Sequence, residues 1–90
     1  MYPEVVQVLP RADYTVLVYF ADGRLVRYDA AGLLNKKAFE PIRDRESFMK
    51  KCTVMNGTLA WDIDGKRDTT RSLDIAPDTL YELKPVAETG

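Results

Sequence analysis

Two turn signals constrain this chain more than anything else in it: Ala21-Asp22-Gly23 and Asn56-Gly57, each set between apolar, β-branched runs. Aspartate or asparagine followed by glycine supplies backbone that turns at positive φ, and the flanking residues favour extended chain. Each signal therefore reads as a β-hairpin, and two hairpins frame the fold. In the first, a two-residue Asp22-Gly23 loop would set Val18 opposite Arg27 and Val16 opposite Asp29. A three-residue loop with Gly23 left-handed sets Val18 opposite Val26 and Val16 opposite Tyr28. Only the second register gathers Val16, Val18, Phe20, Val26 and Tyr28 on one face, with Tyr14 continuing it, so burial selects the bulged loop. In the second hairpin a type I′ turn at Asn56-Gly57 pairs Val54 with Leu59 and Cys52 with Trp61. Thr53, Met55, Thr58 and Ala60 then point the other way.

The remaining segments fall into place around these hairpins. Residues 4–9 form a first strand closed by Pro10. Asp29 caps a short helical turn over 30–34, and a connector over 36–42 is anchored by Phe39 and Ile42. Asp44 is a favourable N-cap for a helix over 45–51, with Glu46 in its first turn and Lys50 and Lys51 in its last. Phe48 and Met49 give that helix its apolar side. Residues 73–75 form a short final strand, and Pro77 at N1 with Asp78 starts a last helix over 76–81 on Ala76, a poor cap. The expected fold class is α+β: a small, mostly antiparallel sheet of two hairpins plus edge strands, with two or three short helices. It spans residues 4–83 as a single domain, with 84–90 as a C-terminal tail and a polar stretch at 64–72.

Ninety residues support one domain with a thin core, burying about two-thirds of the unfolded surface. A net charge of −1 gives no basic excess, so direct nucleic-acid binding is not expected, and little repulsion opposes self-association. The single cysteine makes no internal disulfide, which fits a reducing compartment. The start carries no basic and apolar leader, and no apolar run approaches the ~18 residues of a membrane span. A cytoplasmic protein without membrane association is the expectation.

Residues that carry chemistry are sparse. There is no histidine, so Cys52 has no imidazole base to activate it, and its place beside Trp61 makes it a core residue. Asp62, Asp64 and Asp68 superficially resemble a calcium loop, but Lys66 stands where a third carboxylate belongs and Leu73 where a bidentate glutamate belongs. A solvated turn explains them. Asp22, Asp29, Asp44 and Asp78 each have a turn or cap to serve. Lys66, Arg67 and Arg71 sit in a mixed-charge loop that reads as solvated. No glycine-rich phosphate cradle and no metal-ligand spacing occurs. No cofactor, metal or catalytic residue is expected, and the chain is not read as an enzyme.

What folding leaves over is the opposite face of the first hairpin: Thr15, Leu17, Tyr19, Leu25 and Arg27. Three of these are large and apolar, too much for a small sheet to leave without a cover, so either a helix of this chain or another molecule lies over them. The reading is a protein-interaction or regulatory module that binds a protein partner or a second copy of itself. Leu17, Tyr19 and Leu25 anchor that contact, with Arg27 at its rim. The alternative is a small-molecule sensor with a pocket between the sheet and the last helix, near Trp61 and Tyr81.

The chain also resembles a known family. Val8-Leu9-Pro10, Asp13-Tyr14, Leu17-Val18, Phe20, Asp22-Gly23, Tyr28-Asp29, Leu33-Leu34, Phe39, Ile42, Asp44 and Phe48 are similar to the bacterial domain-of-unknown-function family 2442. Gly57-Thr58-Leu59, Trp61, Asp74-Ile75, Pro77 and Leu80-Tyr81 continue the likeness, which covers about residues 4–83. The chain departs from it at Ala76, where members often carry an acidic or hydroxyl residue, and in the length of the 64–72 loop. The resemblance implies a small α+β fold and no established activity, catalytic residue or cofactor. Some members resemble this unit fused to a helix-turn-helix segment, and others are encoded beside a second small protein. It thus implies an interaction or regulatory role, of the kind found in toxin–antitoxin-like pairs. Ninety residues leave no room for DNA-reading helices, so DNA binding is not carried over.

Overall fold

Hairpin chemistry sets the architecture. The computed structural model describes residues 2–66 and 72–86. Gly23 takes φ of 93°, Phe20 N donates to Arg24 O at 2.9 Å, and Val18 faces Val26 while Val16 faces Tyr28. The three-residue, bulged loop is therefore the one that forms. Asn56 and Gly57 both have positive φ, 54° and 72°, and Val54 pairs with Leu59 and Cys52 with Trp61. Both registers agree with the sequence reading, because in each case one face had to be buried.

The strands divide into two three-stranded antiparallel sheets rather than one. The first is β1 (Val5–Pro10), β2 (Thr15–Phe20) and β3 (Leu25–Asp29), in that order. The second is β4 (Cys52–Met55), β5 (Thr58–Asp62) and β6 (Ser72–Asp74). Between them run two 3-10 segments, Ala31–Asn35 and Lys37–Ile42, and helix α1 (Arg45–Lys51). Helix α2 (Pro77–Tyr81) follows β6. One core joins the inner face of the first sheet (Val16, Val18, Phe20, Val26) to Leu59 and Trp61 of the second, closed by Ile42, Phe48 and Leu80.

Local chemistry shapes the helices as expected. The Asp44 carboxylate accepts from Ser47 N at 3.0 Å, which caps α1 and satisfies one of its orphan amides. Phe48 is fully buried, whereas Met49 is 39% exposed and belongs to the solvent side of the helix. In a seven-residue helix one large side chain fills the available core-facing arc. Asp29 accepts from Ala31 N at 3.0 Å at the entry to the first 3-10 segment, and α2 starts at Pro77 with no side-chain cap from Ala76.

Three features differ from the sequence reading in instructive ways. Tyr14 reaches the core side, but from a turn at φ 66° before β2 rather than from within the strand. Its ring packs edge-on against Phe48 at 5.1 Å and its hydroxyl donates to Arg43 O at 3.0 Å, contacts that hold a residue type rarely found left-handed. Met55, Thr58 and Ala60 are as buried as the Trp61 face, so the second sheet has no wet face along most of β5. β1 lies against β4 and β5, and Val5 N donates to Gly57 O at 2.9 Å. Finally, residues placed at the start of the tail still pair: Pro85 bridges Val26, and Val86 N donates to Leu25 O at 2.9 Å. Among the described residues, no helix is long and apolar enough to cross a membrane.

Candidate interaction surface

The outer face of the first sheet follows from its two registers. Leu9 faces Leu17, which faces Arg27; Gln7 faces Tyr19, which faces Leu25. A β-bulge between Val5 and Gln7 inserts Val6 as an extra residue and shifts the phase of β1. Before the bulge Val5 points into the core at 2% exposure; after it, Leu9 points outward at 40%. Val6 itself is 59% exposed. Leu17 and Tyr19 are half-buried, and Arg27 is exposed.

Leu25 is different. It is only 8% exposed, and Val86, itself 37% exposed, is hydrogen-bonded to its carbonyl. The chain's own C-terminal segment thus covers the third anchor expected from sequence. The apolar surface that stays accessible is shifted toward β1: Leu9 and Val6 with Leu17 and Tyr19. Sequence reasoning missed Leu9 and Val6 because it assigned no register to β1. Alternating burial in that strand is interrupted by the bulge, and no turn motif marks it.

Trp61 and Tyr81, expected from the sequence to line one pocket, have different ring neighbours among the described residues. Trp61 is fully buried, its indole N–H donating to Phe48 O at 3.1 Å, with Phe39 and Phe48 as its ring neighbours at 6.3 and 5.5 Å. Tyr81 belongs to a separate cluster with Phe20 at 5.0 Å and Tyr2 at 5.5 Å. The Tyr81 hydroxyl donates to Asp22 Oδ2 at 2.7 Å, and the Arg24 guanidinium lies 4.4 Å above its ring. Arg24 also donates to Leu83 O at 3.2 Å. This group ties the bulged first turn to α2 and steers the chain after α2 toward the edge of β3. The hydrogen bond to Asp22 raises the Tyr81 pKa above the usual tyrosine range and lowers that of Asp22.

An open cleft of about 570 Å³ lies where α1 runs into β4, lined by Lys50, Lys51, Cys52, Asp62, Ile63 and Asp64 among others. Burial pushes the Cys52 thiol up to about 12, so it stays protonated and a poor nucleophile at neutral pH. Arg67, Asp68 and Arg71, which the sequence reading discussed as loop charges, lie outside the described residues.

The chain matches the family model described as protein of unknown function (DUF2442) over residues 5–86. It belongs to this family. The matched stretch includes Pro85 and Val86, so the segment that covers Leu25 lies within the DUF2442 unit. No curated protein and no solved structure matches.

Proposed function

We propose that this DUF2442 domain is a protein-interaction module, working through the outer face of the β1–β2–β3 sheet and able to associate with itself. The observation that carries the reading is one contiguous apolar set on that face: Leu9 at 40% exposure beside half-buried Leu17 and Tyr19, with exposed Val6 at the bulge. Apolar area covered by a partner stabilises a complex by roughly 25 cal/mol per Å² before the costs of association. Tyrosine at the centre of such a patch is a frequent anchor, and Arg27 supplies a polar rim. A reducing cytoplasmic setting agrees with the single unpaired Cys52. The reading assigns no catalytic role: the chain has no histidine, and its one thiol is held protonated.

The test is the pair Leu9→Ser and Tyr19→Ser, measured for capture of host proteins and for self-association, alongside thermal unfolding. The expected result is lost association with a melting temperature within a few degrees of the parent. Unfolding of the double variant makes these side chains core and removes the surface. A fully folded variant that still captures the same partners moves the interface elsewhere.

A further inference from the structure

The C-terminal segment does more than shield Leu25. Pro85 bridges Val26 in the antiparallel sense and Val86 N donates to Leu25 O, so residues 84–86 run beside β3 as a short fourth strand. The register follows from that bridge. Val86 stands opposite Leu25, and Lys84 opposite Arg27, with Lys84 C=O against Arg27 N–H. Side chains directly opposite one another share a face of the sheet, so the segment lengthens two outward rows. Gln7, Tyr19, Leu25 and Val86 make one; Leu9, Leu17, Arg27 and Lys84 make the other. The apolar members of the rows adjoin, and the second row ends in a pair of cations.

Arg27 and Lys84 are both exposed. Opposed side chains of this kind have Cβ atoms roughly 5 Å apart, and like charges placed so destabilise the pairing they belong to. Among the described residues no ion pair joins either cation to a carboxylate. Asp29 shares the face, but its Oδ1 accepts from Ala31 N. The fold thus keeps an uncompensated positive corner beside an apolar strip, in a chain whose net charge is −1.

We infer that this corner selects the occupant of the outer face: a different protein whose contact segment sets Asp or Glu against Arg27 and Lys84, and large apolar side chains against Leu17, Tyr19 and Val86. Charge complementarity carries the choice. An opposing carboxylate relieves the repulsion between Arg27 and Lys84, and apolar neighbours that exclude water strengthen the attraction. A second copy fits less well. Two such faces laid together offer each other only Asp29 as a carboxylate, and the first 3-10 segment already uses it. This inference rests on the outer face being an interaction surface and names the chemistry of its partner.

The probe is a random peptide library displayed on phage and selected on the full chain, with enriched peptides then titrated by fluorescence anisotropy. Enriched sequences should carry Asp or Glu beside Leu, Ile, Phe or Trp, and their affinity should fall as salt rises. Arg27→Glu/Lys84→Glu should weaken them by about tenfold or more with circular dichroism unchanged, and peptides with lysine in place of the acids should bind that variant instead. Lys84→Glu alone should raise the melting temperature slightly, since it turns the opposed cations into an ion pair. A lowered melting temperature places Lys84 away from Arg27 and overturns the inference. So does a selection that enriches no sequence, or only sequences without acids, and so does an acidic peptide that binds the charge variant like the parent. In that last case loss of binding in Leu9→Ser/Tyr19→Ser keeps the face and discards the cation corner, whereas binding untouched by either variant discards both. Sedimentation equilibrium supplies the remaining outcome: a dimer lost in the face variant but unchanged in the charge variant gives the face to a second copy and overturns the inference.

Discussion

Trp61→Phe probes the contact on which both sheets converge. Near the end of α1 (Arg45–Lys51), Trp61 Nε1 donates to Phe48 O at 3.1 Å within the core. Phenylalanine at 61 removes this buried hydrogen bond, which costs about 0.5–1.5 kcal/mol. The missing half of the indole, on the order of 40 Å³, adds about 1 kcal/mol at ~24 cal/mol per Å³ of cavity. The sum, about 1.5–2.5 kcal/mol, is a sizeable share of the ~5–13 kcal/mol typical of a chain this size. At ~4–8 °C per kcal/mol for a small domain, the melting temperature should fall by about 6–20 °C. Circular dichroism is the suitable assay, since the substitution removes the only tryptophan. A drop below about 3 °C refutes the reasoning, because it means that neither the hydrogen bond nor the indole volume contributes.

Two further expectations concern protons. Burial raises Cys52 from 9.0 to about 12, so its contribution is fully present below pH 9 and is lost as pH rises toward 12. Stability should fall by at most about 1.4 kcal/mol per pH unit in that window, and Cys52→Ala should flatten the slope. The native thiol should also react slowly with a disulfide reagent at pH 8 and quickly once the chain is unfolded. Asp44 is held below the ordinary carboxylate value of 3.8, chiefly by the Ser47 amide, so its cap is intact above that value and is lost as pH falls through the lowered one. Acid unfolding followed by circular dichroism should lose part of its pH dependence in Asp44→Asn, and an unchanged acid profile would count against the cap.

Much of this domain was legible in its residues. Gly23 and Gly57 sit in conformations that other residues reach only with strain, so turn type and register followed from local chemistry plus one buried face. Asp44 and Pro77 announced the starts of α1 and α2 for equally local reasons. The interaction surface was legible only in part. Leu17 and Tyr19 lie on the face that the first hairpin's alternation assigned to them, and Trp61 went to the core with Cys52 as its cross-strand neighbour.

Sequence determined which residues turn, which pair within a hairpin and which side of each hairpin is greasy, since those depend on neighbours a few positions away. Tertiary structure alone decided that the strands form two sheets, that a bulge at Val6 turns Leu9 outward, and that Val86 shields Leu25 while Arg27 stays open. Those outcomes join segments up to 61 residues apart, as Leu25 and Val86 are, and no local preference encodes the meeting. They arise because unsatisfied backbone and exposed apolar area are settled across the whole chain at once.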